Sequence, residues 1–157
     1  MKIKVICIGK TNKGYLQSGE QEYLKRLQHY VTTEKIEIPD LKDTRKLSQD
    51  QICEKEGKLL LAKTEPGDLI FLLDERGRSY RSMEFSKFLQ KQLNRGSKNL
   101  VFLIGGAYGF SQEVYNTAEG KISLSDMTFS HQMVRLFFLE QLYRGFSILK
   151  GEPYHHE

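Results

Sequence analysis

Three stretches of this 157-residue chain place glycines or small polar residues directly after an apolar run, the arrangement from which ligand-binding loops are made. They are Leu73-Asp74-Glu75-Arg76-Gly77, Gly105-Gly106-Ala107-Tyr108-Gly109, and the run from Leu124 through Ser125, Asp126, Met127 and Thr128 to Phe129. Glycine at a strand end lets the backbone approach a ligand or another chain segment, although a plain tight turn explains Gly109 equally well. The second stretch lacks the G-x-G-x-x-G spacing and has no acidic residue on a matching second strand, which argues against a dinucleotide site. Neither a nucleophile elbow, a P-loop, a metal-spaced histidine pair nor a Cys/His dyad is present. Of the four histidines, His29 ends a helical pattern and His131 precedes the last helix, where a structural role competes with catalysis.

Charge adds a second chemical feature. The net charge is +4, a mild excess. Its placement is uneven: Arg76, Arg78, Arg81, Lys87, Lys91, Arg95 and Lys98 stand against one acid, Glu84, with Tyr80 among them. Such a segment suits a phosphate backbone with an aromatic ring to stack on a base, and it equally suits a solvated helix face. Cys7 and Cys53 fit no metal or disulfide spacing and read as reduced thiols. The N-terminal run is too short for a signal sequence and no run approaches a membrane span, so a cytoplasmic protein is expected.

The elements that must position these loops follow from periodicity. Lys2 to Gly9, Lys35 to Ile38, Asp68 to Leu73, Asn99 to Ile104 and Lys121 to Leu124 read as strands. The continuous apolar runs DLIFLL and NLVFLI fit strands covered on both faces of a parallel sheet. Helices are expected over Ser18 to Tyr30, capped by Ser18 and Gln21, from Ser48 with Ile52, Leu59 and Leu60 apolar, from Ser82 to Gly96, and from Ser111. The polar stretch from Lys42 to Ser48 reads as a loop. This alternation implies a single α/β domain over residues 1–157, with a mainly parallel sheet flanked by helices on both faces. The last helix is apolar on nearly every face, from Met133 through Phe137 and Leu142 to Phe146, so it needs cover beyond its own sheet. A partner subunit is the simplest cover.

The segments LLDERG, FLIGGAYG, LSDMTFSHQMVR, EQLYR and the C-terminal PYHHE, in that order, resemble those of the RlmH (YbeA) family of SPOUT methyltransferases, and the likeness runs the length of the chain. The resemblance implies a C-terminal trefoil knot, which general topology rules would disfavour, and a homodimer. It implies transfer of a methyl group from S-adenosyl-L-methionine, without a metal, to N3 of a pseudouridine in large-subunit ribosomal RNA. Carried onto this sequence, the donor would touch Leu73, Gly105, Leu124, Ser125, Asp126, Met127, Thr128 and Phe129, the three strand ends already singled out. An imide titrating about two units above neutral costs about 2.7 kcal/mol to deprotonate. The candidates for that task are His155 as base, Tyr154 as stacking or hydrogen-bonding group, and Arg144 as anion stabiliser. Ser130 stands where the family usually has Pro, which puts the stiffness of that loop in question. A non-catalytic RNA-binding or ribosome-associated module of the same fold is the alternative; it predicts salt-dependent RNA binding indifferent to the donor.

Overall fold

The computed structural model describes residues 1–156, so Glu157, the last residue of PYHHE, lies outside the described residues. Its strands are β1 (Lys2–Ile8), β2 (Thr33–Ile38), β3 (Leu69–Ser79), β4 (Asn99–Ile104) and β5 (Gly120–Ser123). Among the described residues they form one sheet in the order β2-β1-β4-β3-β5, with every pairing parallel. Each residue of β4 is buried. That is why its sequence shows no alternation: in a parallel sheet with helices on both faces, neither set of side chains meets water.

The helices are α1 (Gly14–Leu27), α2 (Gln49–Leu61), α3 (Ser82–Leu93), α4 (Gln112–Thr117) and α5 (Met133–Leu149). One face of the sheet carries a core of Phe71, Phe102, Phe85, Leu89, Phe138 and Leu142, to which α3 and α5 contribute. The other carries Ile70, Leu72, Val101, Leu103, Leu60 and Val114, to which α2 and α4 contribute. Each large apolar side chain fully buried there stabilises the fold by about 1.5–3 kcal/mol. α5 packs against both α1 and α3, burying Phe138, Leu139, Leu142 and Phe146. It leaves Met133 and Phe137 about 40% exposed, so the cover expected for this helix is incomplete within one chain.

Several local expectations change. α1 begins at Gly14, and Ser18 lies inside the helix as an exposed residue instead of capping it. The earlier start aligns Leu16, Glu20 and Leu27 on the buried side, where tertiary contact outweighs a serine's preference for a cap. Ser48 does cap α2, accepting from Gln51 N while the Gln51 side chain accepts from Ser48 N. Ser111 likewise caps α4 through Val114 N. Ser82 is the first residue of α3, and the free N–H of Arg81 is taken by the Glu84 carboxylate at 2.8 Å. Leu59 is exposed while Leu60 is buried. The polar stretch before α2 contains a single 3-10 turn at Thr44–Lys46.

The largest difference is in β3, which runs on through the expected loop to Ser79. Both Leu73 and Arg78 stand opposite Ile122 of β5, so the four residues between them are bulged out of the ladder. Gly77 closes this bulge against β5: a Cβ there would lie 2.6 Å from the Ile122 nitrogen and the Lys121 carbonyl carbon. Because β4, β3 and β5 are neighbours and parallel, their carboxyl ends emerge side by side, about 4.8 Å apart from strand to strand. The fold itself therefore gathers the three loops.

Candidate functional site

A cleft of about 490 Å³ lies over those strand ends. Leu73, Gly105, Leu124, Ser125, Met127, Thr128 and Phe129 all line it, which brings together the residues singled out at three separate places in the chain. Asp126 does not line it and is exposed. Reasoning from sequence missed Tyr115 and Val134, which also line the cleft, as does His131, for which a structural role competes with catalysis. Tyr115 comes from α4, and no spacing in the sequence links it to the loops. Its phenol donates to Asp74 Oδ2 at 2.5 Å and accepts from Arg76 Nη2 at 3.2 Å. Burial and the Asp74 carboxylate push this phenol above its ordinary range, so it remains a hydrogen-bond donor at neutral pH.

The glycine loop is backed by an acid. A Cβ on Gly106 would lie 2.8 Å from the Glu56 carboxylate, so any side chain there would have to displace that carboxylate. Glu56 is buried and its Oε1 has no hydrogen-bond partner among the described residues. Burial, with Asp40 nearby, raises its pKa. A raised folded-state carboxyl binds its proton more tightly in the folded than in the unfolded chain. Its contribution is therefore present at low pH and lost as pH rises from the ordinary glutamate value through the folded one. Glu56→Gln is expected to remove that component, so that the melting temperature of the variant gains on that of the unchanged protein as pH rises from 4 to 7. Parallel curves would show that Glu56 does not titrate there.

The third loop is held at both ends by hydrogen bonds. Ser123 Oγ donates to Ser125 O at 3.0 Å, and Ser125 Oγ accepts from Met127 N at 3.0 Å. Ser130 Oγ accepts from Gln132 N and Met133 N, both at 3.3 Å, satisfying N–H groups at the entry to α5. The serine thus supplies by hydrogen bonding part of what a proline would supply by restricting φ. One turn on, Arg135 is 1% exposed and reaches back to β1. Its guanidinium donates to Ile8 O at 2.5 Å, Gly9 O at 2.8 Å and Thr11 Oγ1 at 3.1 Å, with Glu37 Oε2 3.6 Å away. The same Thr11 hydroxyl donates to Glu20, which pairs with Lys35. This buried network fixes where α5 begins and hence where the loop before it lies.

The other sequence candidates form a separate cluster. Arg144 lies ten residues beyond Val134, or about 15 Å along the helix axis. Its Nη2 donates to Glu140 Oε1 at 2.5 Å, its Nη1 meets His155 Nδ1 at 3.1 Å, and its guanidinium sits 4.9 Å from the Tyr154 ring centre. Tyr154 donates to Glu140 Oε1 at 3.0 Å and packs edge-on against Tyr143, with Tyr23 Oη also 3.0 Å away. Burial, then these hydrogen bonds, raise the Tyr154 phenol far above its ordinary range. It is a neutral donor and no base. An arginine can only donate, so His155 Nδ1 accepts; in the neutral ring Nε2 then carries the hydrogen. The C-terminal segment is anchored by Tyr30 donating to Glu152 at 2.5 Å and by Glu152 N donating to Ser147 O. Within one chain, then, Arg144, Tyr154 and His155 stand together and outside the cleft.

A profile of the family described as "Predicted SPOUT methyltransferase" matches residues 1–155. The chain is 56% identical over 156 residues to a protein of Christiangramia forsetii named ribosomal RNA large subunit methyltransferase H, covering 99% of each. A protein of the same name from Flavobacterium johnsoniae is 55% identical over 157 residues, covering all of both. Among solved structures, a probable methylase family protein from Haemophilus influenzae superposes with a TM-score of 0.57 at 12% identity, over 95% of this chain and 66% of that one, a likeness of fold alone. With a parallel sheet, a cleft at three adjoining strand ends and relatives of this identity over its full length, the chain belongs to the SPOUT methyltransferase family, in the group of the ribosomal RNA large subunit methyltransferase H proteins.

Proposed function

We propose that the protein methylates N3 of a pseudouridine in large-subunit ribosomal RNA, using S-adenosyl-L-methionine bound in the cleft. The convergence of Leu73, Gly105 and the 124–129 loop on one cavity carries this reading. The residues fit the donor. A cavity of about 490 Å³ falls in the range of small-molecule sites. Leu73, Leu124, Phe129 and Val134 offer apolar walls to an adenine, while the glycine loop offers main-chain polar groups to its edge. When bound, the donor supplies a methyl group on a sulfonium, open to in-line displacement. The family also supports a trefoil knot involving the third loop, and a single domain over residues 1–157.

The chain's own residues must remove the imide proton and hold the resulting anion. Arg144 donates to His155 Nδ1 in the resting cluster, which occupies the lone pair that a base needs. When the guanidinium turns to a substrate carbonyl, it stabilises the developing anion and releases Nδ1 to accept the proton. In the resting cluster Glu140 orients both groups, accepting from Arg144 Nη2 and from the Tyr154 hydroxyl, and Tyr154 offers its ring to the nucleotide.

These groups reach a methyl donor if two subunits combine, the cluster of one facing the cleft of the other. Exposed Met133 and Phe137 on α5, with Phe129 packed against Phe137 at 4.9 Å, form an apolar patch beside the cleft that a second copy would cover. A solution mass of twice 18.3 kDa is expected from light scattering. A ribosomal RNA substrate supports a cytoplasmic location. No helix of the described residues is long and apolar enough to cross a membrane. The alternative of a non-catalytic module is disfavoured by full-length likeness to proteins named as methyltransferases. Incubation with labelled donor and either naked ribosomal RNA or intact large subunits, followed by mapping of the label, tests the proposal. One labelled pseudouridine is expected; no heat of donor binding at millimolar concentration, together with unlabelled RNA, would overturn it.

A further inference from the structure

Two further cavities continue from the cleft. Arg76 and Tyr115 line both the cleft and a neighbouring hollow of about 350 Å³. Gly120 and Lys121 line both that hollow and a third of about 680 Å³, which lies between β5 and the outer side of α3. The three join end to end along β5, the edge strand of the sheet. Cations follow the whole path: Arg76, Lys121, Arg78, Lys87 and Lys91. Of the acids beside it, Asp74 pairs with Arg76 at 3.8 Å and Glu119 with Arg95 at 3.3 Å, while Glu84 accepts from the Arg81 N–H and Glu75 stands at the cleft rim, so cations outnumber unpaired acids along the path.

Lys87 and Lys91 are exposed, one turn apart on α3, and neither has an acidic partner within 4 Å among the described residues. Like charges at this spacing cost a helix a few tenths of a kcal/mol, so local stability does not account for them. Tyr80 forms part of the floor with Phe88, their ring centres 5.3 Å apart, and Arg78 lies 4.6 Å above the tyrosine ring. An unneutralised row of cations beside an aromatic floor suits a polyanion with flat bases, which favours a nucleic acid strand over an acidic protein.

We infer that this furrow is the track for the RNA backbone flanking the target nucleotide, running from the cleft past Lys121 to Lys87 and Lys91. The inference rests on the RNA-methyltransferase reading and names the surface that reading requires. Two phosphates would be neutralised by the α3 pair.

The test compares the full-length protein with Lys87→Ala/Lys91→Ala, and with Lys55→Ala/Lys58→Ala on α2 as a control on the opposite side of the sheet. Binding of a fluorescent ribosomal RNA hairpin is followed by anisotropy over a range of salt, and donor binding by calorimetry. The α3 pair is expected to weaken RNA binding roughly tenfold and to reduce the slope of log K against log salt by about 1.4, with donor affinity and melting temperature at their original values. The α2 control should leave both RNA quantities in place. Equal slopes for the α3 variant and the original protein overturn the track while leaving the methyltransferase reading intact. A slope lost at α3 in a protein that methylates no RNA keeps the track and overturns that reading. An unchanged affinity for polyglutamate competing equally with RNA assigns the furrow to an acidic protein and also overturns the track.

Discussion

Arg144→Ala is expected to lower kcat for RNA methylation by about 100- to 1,000-fold while leaving calorimetric affinity for the donor unchanged. The magnitude is that of removing one preorganised donor aimed at a developing negative charge. Donor affinity is spared because the residues that would hold the donor, Leu73, Gly105 and the 124–129 loop, do not include Arg144. Arg144→Lys should recover part of the loss, since the charge returns without the planar fork that meets Glu140 and His155 together. His155→Ala should add little to the Arg144→Ala defect if the two act as a pair, a non-additivity expected of groups that work together. Wild-type turnover in Arg144→Ala would remove the proposed anion stabiliser. Mixing Arg144→Ala with a variant blocked in the cleft, such as Gly105→Val, distinguishes the subunit arrangement. Heterodimers with one intact composite site should regain up to half the activity, whereas a site contained in one chain would regain none.

Gly77→Ala is expected to cost about 3 kcal/mol and to lower the melting temperature by about 10 °C. The added methyl would sit 2.6 Å from main-chain atoms of Lys121 and Ile122, which cannot rotate away as a side chain can. Relief requires the β3 bulge to separate from β5, and the bulge carries Asp74, Glu75 and Arg76 at the rim of the cleft. Donor affinity should therefore fall together with stability. Gly14→Ala is the comparison: no atom lies within 4 Å of its Cβ and it is the first residue of α1, so a neutral or slightly stabilising effect is expected. If the two alanine variants melt alike, the close approach at Gly77 is not what fixes the bulge.

The sequence was most informative where one local rule decided the outcome. β4 was legible because a strand buried on both faces must be apolar throughout, and α2 because Ser48 and Gln51 cap it reciprocally. α1 was misplaced because Glu20, a polar residue in every propensity rule, is buried against Lys35 and Thr11. No local pattern announces a partner fifteen residues away. The same holds for Arg135, whose buried partners lie on and just after β1, 126 and 127 residues earlier in the chain. Ser130 looked like a loosening substitution until its hydroxyl was found accepting from the first turn of α5.

By itself the sequence determined the parallel α/β architecture, the three loops able to meet a ligand and the family to which the chain belongs, because strand burial, glycine spacing and ordered motifs are written locally. The tertiary structure alone decided that β4, β3 and β5 are neighbours, which turns three distant loops into one cleft and adds Tyr115 to it. It also decided that Arg144, Tyr154 and His155 gather away from that cleft. Strand order and side-chain pairing are set by long-range packing, in which each contact depends on where the rest of the chain has already been placed.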